Sequence, residues 1–254
     1  GTNTTVPATQ AAGTYSNEIV ASAAQGTGLS NYSITYSPGT LTVGKATLTV
    51  TANNQSRVYG DSNPTLTYTI TGYVNSENAT LAGITGAPTI STSATAASNV
   101  TTYTITSAAN NLAAANYQFS YVDGILTVNR RPVTVTADNK SREYGEANPS
   151  LTYTVAADGT GAGRGLYSTD ALTGSVTTAA VATTNVGGVS ITQNDLTNAN
   201  NANYDITYSA GTLTITPAVL TYNATAASST YGSTPSVNAG TVTGWKNGET
   251  ASTA

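Results

Sequence analysis

Enzymes draw on a short roster of reactive side chains, and this chain is missing most of it. Its 254 residues include no cysteine, no histidine and no methionine. A thiolate nucleophile, an imidazole base, a disulfide and a Cys/His zinc site are therefore excluded. A serine nucleophile would have to borrow a lysine as base, and none of Lys45, Lys140 and Lys246 stands beside a recurring acid. The 12 acidic residues fall mostly in loops and turns and offer no convergent pair for glycoside hydrolysis. Calcium wants six to eight oxygens, several of them carboxylate. Asp61 with Asn63, and Asp138, come nearest, but Asp61 is replaced by Glu146 and then Ser233 in the equivalent loops, and Asp138 corresponds to Asn53. No catalytic residue, metal ligand or cofactor is expected. What is left is contact chemistry. Arg57 and Tyr59 form a sugar-stacking or partner-contact pair, and Tyr73 and Trp245 extend the candidate contact loop. The competing reading is that the tyrosine packs across a domain junction while its glycine serves a turn.

These residues sit on a repeat. Tyr59-Gly60, Tyr144-Gly145 and Tyr231-Gly232 are 85 and 87 residues apart. Asn31-Tyr32, Asn116-Tyr117 and Asn203-Tyr204 keep the same intervals, as do Gly39, Gly124 and Gly211. Three markers on one period define a tandem array. Each unit opens on an alternating run, Leu48-Thr49-Val50-Thr51-Ala52 or Val133-Thr134-Val135-Thr136-Ala137, the signature of a half-buried strand. The loop ending at Tyr59-Gly60-Asp61-Ser62-Asn63-Pro64 follows, then a second strand, Leu66-Thr67-Tyr68-Thr69-Ile70, with Tyr68 expected to face the core. A bend, Gly72-Tyr73-Val74-Asn75-Ser76-Glu77, is echoed by Gly244-Trp245-Lys246-Asn247-Gly248-Glu249. At that place the third unit carries a glycine-rich insert, Asp158–Gly165. Strands around 88–93 and 102–106 come next, then the aromatic run Tyr117 to Tyr121. Asp123-Gly124 between two alternating runs predicts a hairpin. Only 108–115 could be helical, and its Asn-Asn centre limits it to a single turn.

Six or so short strands per 85 residues predict an all-β fold: tandem small β-sandwiches of the immunoglobulin-like kind in an extended rod, with β-grasp-like modules as the alternative. The expected organisation is 1–44 as the C-terminal part of a repeat, 45–129 and 130–216 as complete repeats, and 217–254 as the N-terminal part of another. The chain is read as an excerpt of a longer array.

The pattern Tyr-Gly-x-x-Asn-Pro-x-Leu-Thr-Tyr-Thr, Gly-x-x-Asn-Gly-Glu, Asn-Tyr and Gly-x-Leu-Thr-Val resembles the MBG/YDG-type repeat of bacterial surface proteins, found in long arrays within filamentous-haemagglutinin-like giant adhesins. Ser229 departs from the arginine of Arg57 and Arg142, and Ser233-Thr234-Pro235 from the Asn-Pro step. The resemblance implies an extracellular or cell-surface location and a stalk or adhesive role without catalysis.

Composition agrees. Charged residues are 8% of the chain, against roughly 25% in ordinary soluble proteins. Net charge is −4 and no basic run exists, which argues against nucleic acid as a partner. No apolar run approaches the ~18 residues of a membrane span. Lys45 aligns with Arg130 and Lys140 with Gln55, so no lysine recurs for an isopeptide bond. Thr-x-Thr runs suit solvated strand faces. The expected partners are neighbouring repeats. The leading expectation is a stalk or spacer. Its alternatives are a filament protomer whose complementary ends complete a module between subunits, end to end, and a glycan-binding adhesive module using Arg57, Tyr59, Tyr73 and Trp245.

Overall fold

The computed structural model describes residues 6–157 and 164–251. The chain divides into two compact units, Gly1–Asn129 and Arg130–Ala254. Residues 158–163 of the expected glycine-rich insert lie outside the described residues. Among the described residues the structure is all-β apart from one 3-10 turn at Leu29–Asn31. None of them forms a helix long and apolar enough to cross a membrane.

In the first unit the strands are β1 (Gly13–Ile19), β2 (Gly39–Val43), β3 (Ala46–Ala52), β4 (Gln55–Val58), β5 (Tyr68–Thr71), β6 (Thr89–Ser91), β7 (Thr102–Ala108), β8 (Tyr117–Val122) and β9 (Gly124–Asn129). Strands β3 to β9 make a sandwich of a three-stranded sheet, ordered β5-β3-β8, and a four-stranded sheet, ordered β4-β9-β7-β6. Its interior follows directly from the alternation of the sequence. Leu48, Val50 and Ala52 of β3 point inward, as do Leu126 and Val128 of β9 and Ile105 of β7. Threonines take the opposite positions of β3.

In the second unit the strands are β10 (Arg131–Ala137), β11 (Lys140–Glu143), β12 (Tyr153–Val155), β13 (Val176–Thr178), β14 (Gly187–Gln193), β15 (Tyr204–Ser209), β16 (Gly211–Thr216), β17 (Thr221–Asn223) and β18 (Thr241–Thr243). The sheets β12-β10-β15 and β11-β16-β14-β13 repeat the first topology strand for strand. They enclose Val135, Ile191, Leu196, Leu213 and Ile215.

Three expectations are corrected. Asp123-Gly124 turns no hairpin: β8 pairs in parallel with β3, whereas β9 pairs with β4 and β7. The dipeptide is a corner that hands the chain from one sheet to the other. Asp123 Oδ1 accepts the Ser107 N–H at 2.8 Å, and Asn54 Oδ1 accepts the Ile125 N–H at 2.8 Å. Asn139 does the same for Thr212 at 2.8 Å. Secondly, Tyr68 on the edge strand β5 is 37% exposed, whereas the equivalent Tyr153 on the edge strand β12 packs on its core. Thirdly, 108–115 forms no helical turn and instead bridges to Thr85 through Ala113.

Two shorter pairings flank the sandwiches. β1 pairs with β2 in the first unit, joining Tyr15 to Leu41 as Tyr103 joins Leu126. β17 pairs with β18 in the second, in the register of β3 with β5.

Candidate functional site

The tyrosine–glycine loop is built around a buried arginine. Arg57, on β4, is only 6% exposed. Its guanidinium donates through Nε to Asn63 Oδ1 at 2.8 Å, through Nη1 to the Val58 carbonyl at 3.2 Å, and through Nη2 to the Thr95 carbonyl. Asn63 in turn donates to the Ala94 carbonyl at 2.6 Å. The second unit reproduces each bond: Arg142 Nε to Asn148 Oδ1 at 2.8 Å, Nη1 to Glu143 O at 3.1 Å, Nη2 to Val181 O at 2.6 Å, and Asn148 to Ala180 O at 2.6 Å. A planar five-donor fork holds several oxygens at fixed, separated places, whereas a lysine ammonium presents its donors from a single point. Arginine and asparagine together fasten the loop to the turn between the fourth and fifth strands of the sandwich.

This places the four candidate contact residues. Arg57 spends its donors on its own fold, and Tyr59 is 5% exposed. Tyr73 packs edge-on against Tyr117, ring centroids 6.3 Å apart. Trp245 belongs to the second unit and lines a cavity of about 250 Å³ with Tyr144, Val186, Pro217 and Leu220.

That cavity adjoins the meeting of two sequence landmarks. The loop Tyr144-Gly145-Glu146 and the bend Gly244–Glu249 are a hundred residues apart in the chain, yet they meet, with Glu143 and Ala182 beside the loop joining the contact. The Tyr144 hydroxyl donates to Glu249 Oε1. Lys246 Nζ lies 2.5 Å from Glu146 Oε1 and 3.5 Å from Glu143 Oε1. Asn247 donates to the Ala182 carbonyl at 3.3 Å, the oxygen that also accepts the Gly145 N–H at 3.2 Å. Finally, Gly145 leaves room for the lysine stem: a Cβ added there would sit 2.6 Å from Lys246 Cγ. The bond to the Glu249 carboxylate raises the Tyr144 pKa above the ordinary phenol value. The Lys246 ammonium holds Glu146 below the usual carboxylate range, and Glu146 raises Lys246 in return.

Two predictions follow from these contacts. Glu146, with its folded pKa depressed, contributes above the ordinary glutamate value of 4.5 and loses that contribution as pH falls through its folded value. Lys246, with its folded pKa raised, contributes fully below 10.5 and loses it as pH rises through the raised value. Trp245 is the chain's sole tryptophan, so its emission reports the contact directly. It should hold steady through neutral pH and shift red in acid below 4.5; an unchanged spectrum there refutes the pairing. Gly145→Ala should loosen the bend and strain the loop together, because Gly145 has φ +87 and no free space beside it. The expected loss is about 1–2 kcal/mol in denaturant unfolding.

The first unit holds the same contact from the other side. Asn75, the bend residue equivalent to Asn247, donates to the Ala8 carbonyl at 3.4 Å. Ala8 lies in the turn closed by Gln10 N–H to Pro7 O, the counterpart of Thr184 N–H to Val181 O beside Ala182. Asn116, the asparagine of the Asn-Tyr landmark, accepts the Ala12 N–H at 3.0 Å. The tyrosines of that landmark brace the bend from behind. Tyr117 accepts the Val74 N–H at 3.2 Å and donates to Glu77 at 2.7 Å. Tyr204 accepts the Tyr167 N–H at 3.0 Å and donates to Asp170 at 2.5 Å.

Sequence reading missed the bend of the 130–216 segment. It is Gly165-Leu166-Tyr167-Ser168-Thr169-Asp170, shifted by the insert and written with Ser and Asp in place of Asn and Glu. Its Ser168 has φ 53, matching Asn75 at 54 and Asn247 at 52. Arg131, one of the adjacent basic pair, is 4% exposed and donates to the Gly165 carbonyl at 2.6 Å.

No curated protein and no solved structure matches the chain. A family model described as MBG domain (YGX type) matches it twice, over residues 48–127 and 133–214. Those two stretches coincide with the two seven-stranded sandwiches, run through both arginine-held tyrosine–glycine loops, and take in more than half of the sequence. The chain therefore belongs to the MBG domain family of the YGX type, a family of structural repeat modules.

Proposed function

We propose that the chain is a spacer: a stretch of stalk from an extracellular bacterial adhesin, in which repeats hold one another end to end and keep a distal binding region away from the cell surface. Its repeats are taken as 1–44, 45–129, 130–216 and 217–254, the outer two being parts of modules. The observation that carries the reading is the recurrent bond between a bend asparagine and an alanine carbonyl, Asn75 to Ala8 and Asn247 to Ala182. One rule of attachment applied at each step is what a spacer of any length requires, because each repeat then contacts only its neighbours. The uncharged threonine and asparagine surface supports the exported location, and neighbouring repeats are the natural partners.

Small-angle scattering of the purified chain over a range of concentrations tests it. An elongated, concentration-independent particle is expected, and a compact globular envelope overturns the proposal. Concentration-dependent polymers that vanish when residues after Val219 are removed would replace it by the filament reading. Binding on a glycan array that Trp245→Ala abolishes would replace it by the lectin reading.

A further inference from the structure

We propose that the tyrosine–glycine loop is the docking surface for the front bend of the repeat that follows it, and that charge selects which bend it takes: a doubly acidic loop accepts a bend with lysine at its third position. The partner is thus another repeat of this same kind, presented through Gly-x-Lys-Asn-x-Glu.

Three observations converge. The contact of Tyr144, Gly145 and Glu146 with Gly244–Glu249 is polar, close and specific in its atoms, with a hydroxyl on a carboxylate, an ammonium between two carboxylates and a glycine admitting the lysine stem. The same bend asparagine makes the same kind of bond in the first unit, so the docking geometry is a property of the repeat. And the bend is braced by its own repeat where that repeat is complete. Gly72, with φ +98, packs on the first strand so closely that a Cβ would sit 2.8 Å from Thr47 O, while Tyr117 ties Val74 to Glu77 from behind. A preorganised surface loses little freedom on association. An ionised carboxylate has about four acceptor sites. The bend acid can therefore hold the tyrosine of its own repeat, as Glu77 and Asp170 do, and still accept that of the preceding loop, as Glu249 does.

Selection comes from the two positions that vary. The third bend residue is Lys246 in one repeat, Val74 and Tyr167 in the others. The loop positions that face Lys246 are Glu143 and Glu146, and the equivalent residues of the other complete repeat are Val58 and Asp61. The doubly acidic loop and the lysine bend are the pair found in contact. A valine bend seated there would leave two carboxylates close together with no cation between them, and like charges held together disfavour the complex.

The proposal rests on the spacer reading only in taking consecutive repeats as lasting neighbours. The test uses the whole chain and two readouts: acrylamide quenching of Trp245 and hydrogen exchange across 241–251. Tyr144→Phe should raise exchange of the Glu249 amide about tenfold. Lys246→Glu should do the same and increase quenching, and Glu143→Lys with Glu146→Lys added to Lys246→Glu should restore both. Exchange at Val135 and Leu213 serves as the folding control and should stay slow throughout. No change in Tyr144→Phe, or no rescue by the charge swap, overturns the proposal. If scattering still shows an elongated particle after such a failure, the spacer reading stands without this interface. A compact particle with intact rescue would have the opposite meaning.

Discussion

Arg57→Ala is expected to destabilise the first unit by about 3 kcal/mol, since a hydrogen bond to a charged group contributes about 1.5–3 kcal/mol, Arg57 makes three, and the partial exposure of their acceptors discounts the sum. The loss has two sources. Three donors disappear from Asn63, Val58 and Thr95, whose oxygens lose the guanidinium that joins them. The loop they fasten then becomes free to leave the turn at Thr95. Urea unfolding of the chain measures the effect, with Arg142→Ala as its twin in the second unit. Arg57→Lys should recover little, because an ammonium cannot fork across three differently placed acceptors. Full recovery by lysine would show that charge alone, and no planar fork, holds the loop. Ser229 stands at the same position near the C-terminus, so the arginine latch has no counterpart there.

Gly124→Ala is the second large effect, expected at about 2–4 kcal/mol from steric overpacking against main chain that cannot move aside. The reason is space and not torsion. Gly124 and Gly211 are absent from the positive-φ glycines, so alanine could adopt either backbone. A Cβ on Gly124, however, would press into the Ala52 carbonyl, 3.0 Å from its carbon, and one on Gly211 would sit 2.6 Å from the Ala137 oxygen. Gly124 lies where the corner between β8 and β9 crosses the end of β3, and Gly211 where the corner between β15 and β16 crosses the end of β10. Gly187→Ala offers the contrast, a φ of +140 with open space around it, where strain acts without collision. If Gly124→Ala unfolds at the wild-type urea midpoint, the close crossing is wrong.

Both sites mark where sequence reading stopped. Strand positions were legible because burial on one face writes a period of two into the residues themselves, as in Leu48, Val50 and Ala52. Sheet membership was not. An Asp-Gly step announces a change of direction but carries no record of which strand lies alongside afterwards, and the parallel pairing of β3 with β8 joins residues some seventy positions apart. Arg57 next to Tyr59 on a polar loop has the composition of a sugar contact. That the guanidinium turns inward depends on carbonyls near residue 95, which no local pattern reveals. The bend at 165–170 escaped for a plainer reason: an insert displaced it, and Ser168 preserves a left-handed backbone that asparagine holds in the other two copies. The tyrosine–glycine period itself was fully visible, but the bond from the Tyr144 hydroxyl to Glu249, a hundred residues on, left no mark in it.

The pairing of β3 with β8 and of β4 with β9 has a mechanical side. Residues 46–58 and 117–129 are the first and last ribbons of one sandwich, and they run side by side in the same direction, six residue pairs along one sheet and four along the other. Tension applied at the two ends of such a repeat pulls these ribbons in opposite directions along their length. Every hydrogen bond between them is then loaded in shear at the same moment, and none can be peeled away ahead of the rest. The topology that defeated the hairpin expectation is the arrangement best suited to a tether under load.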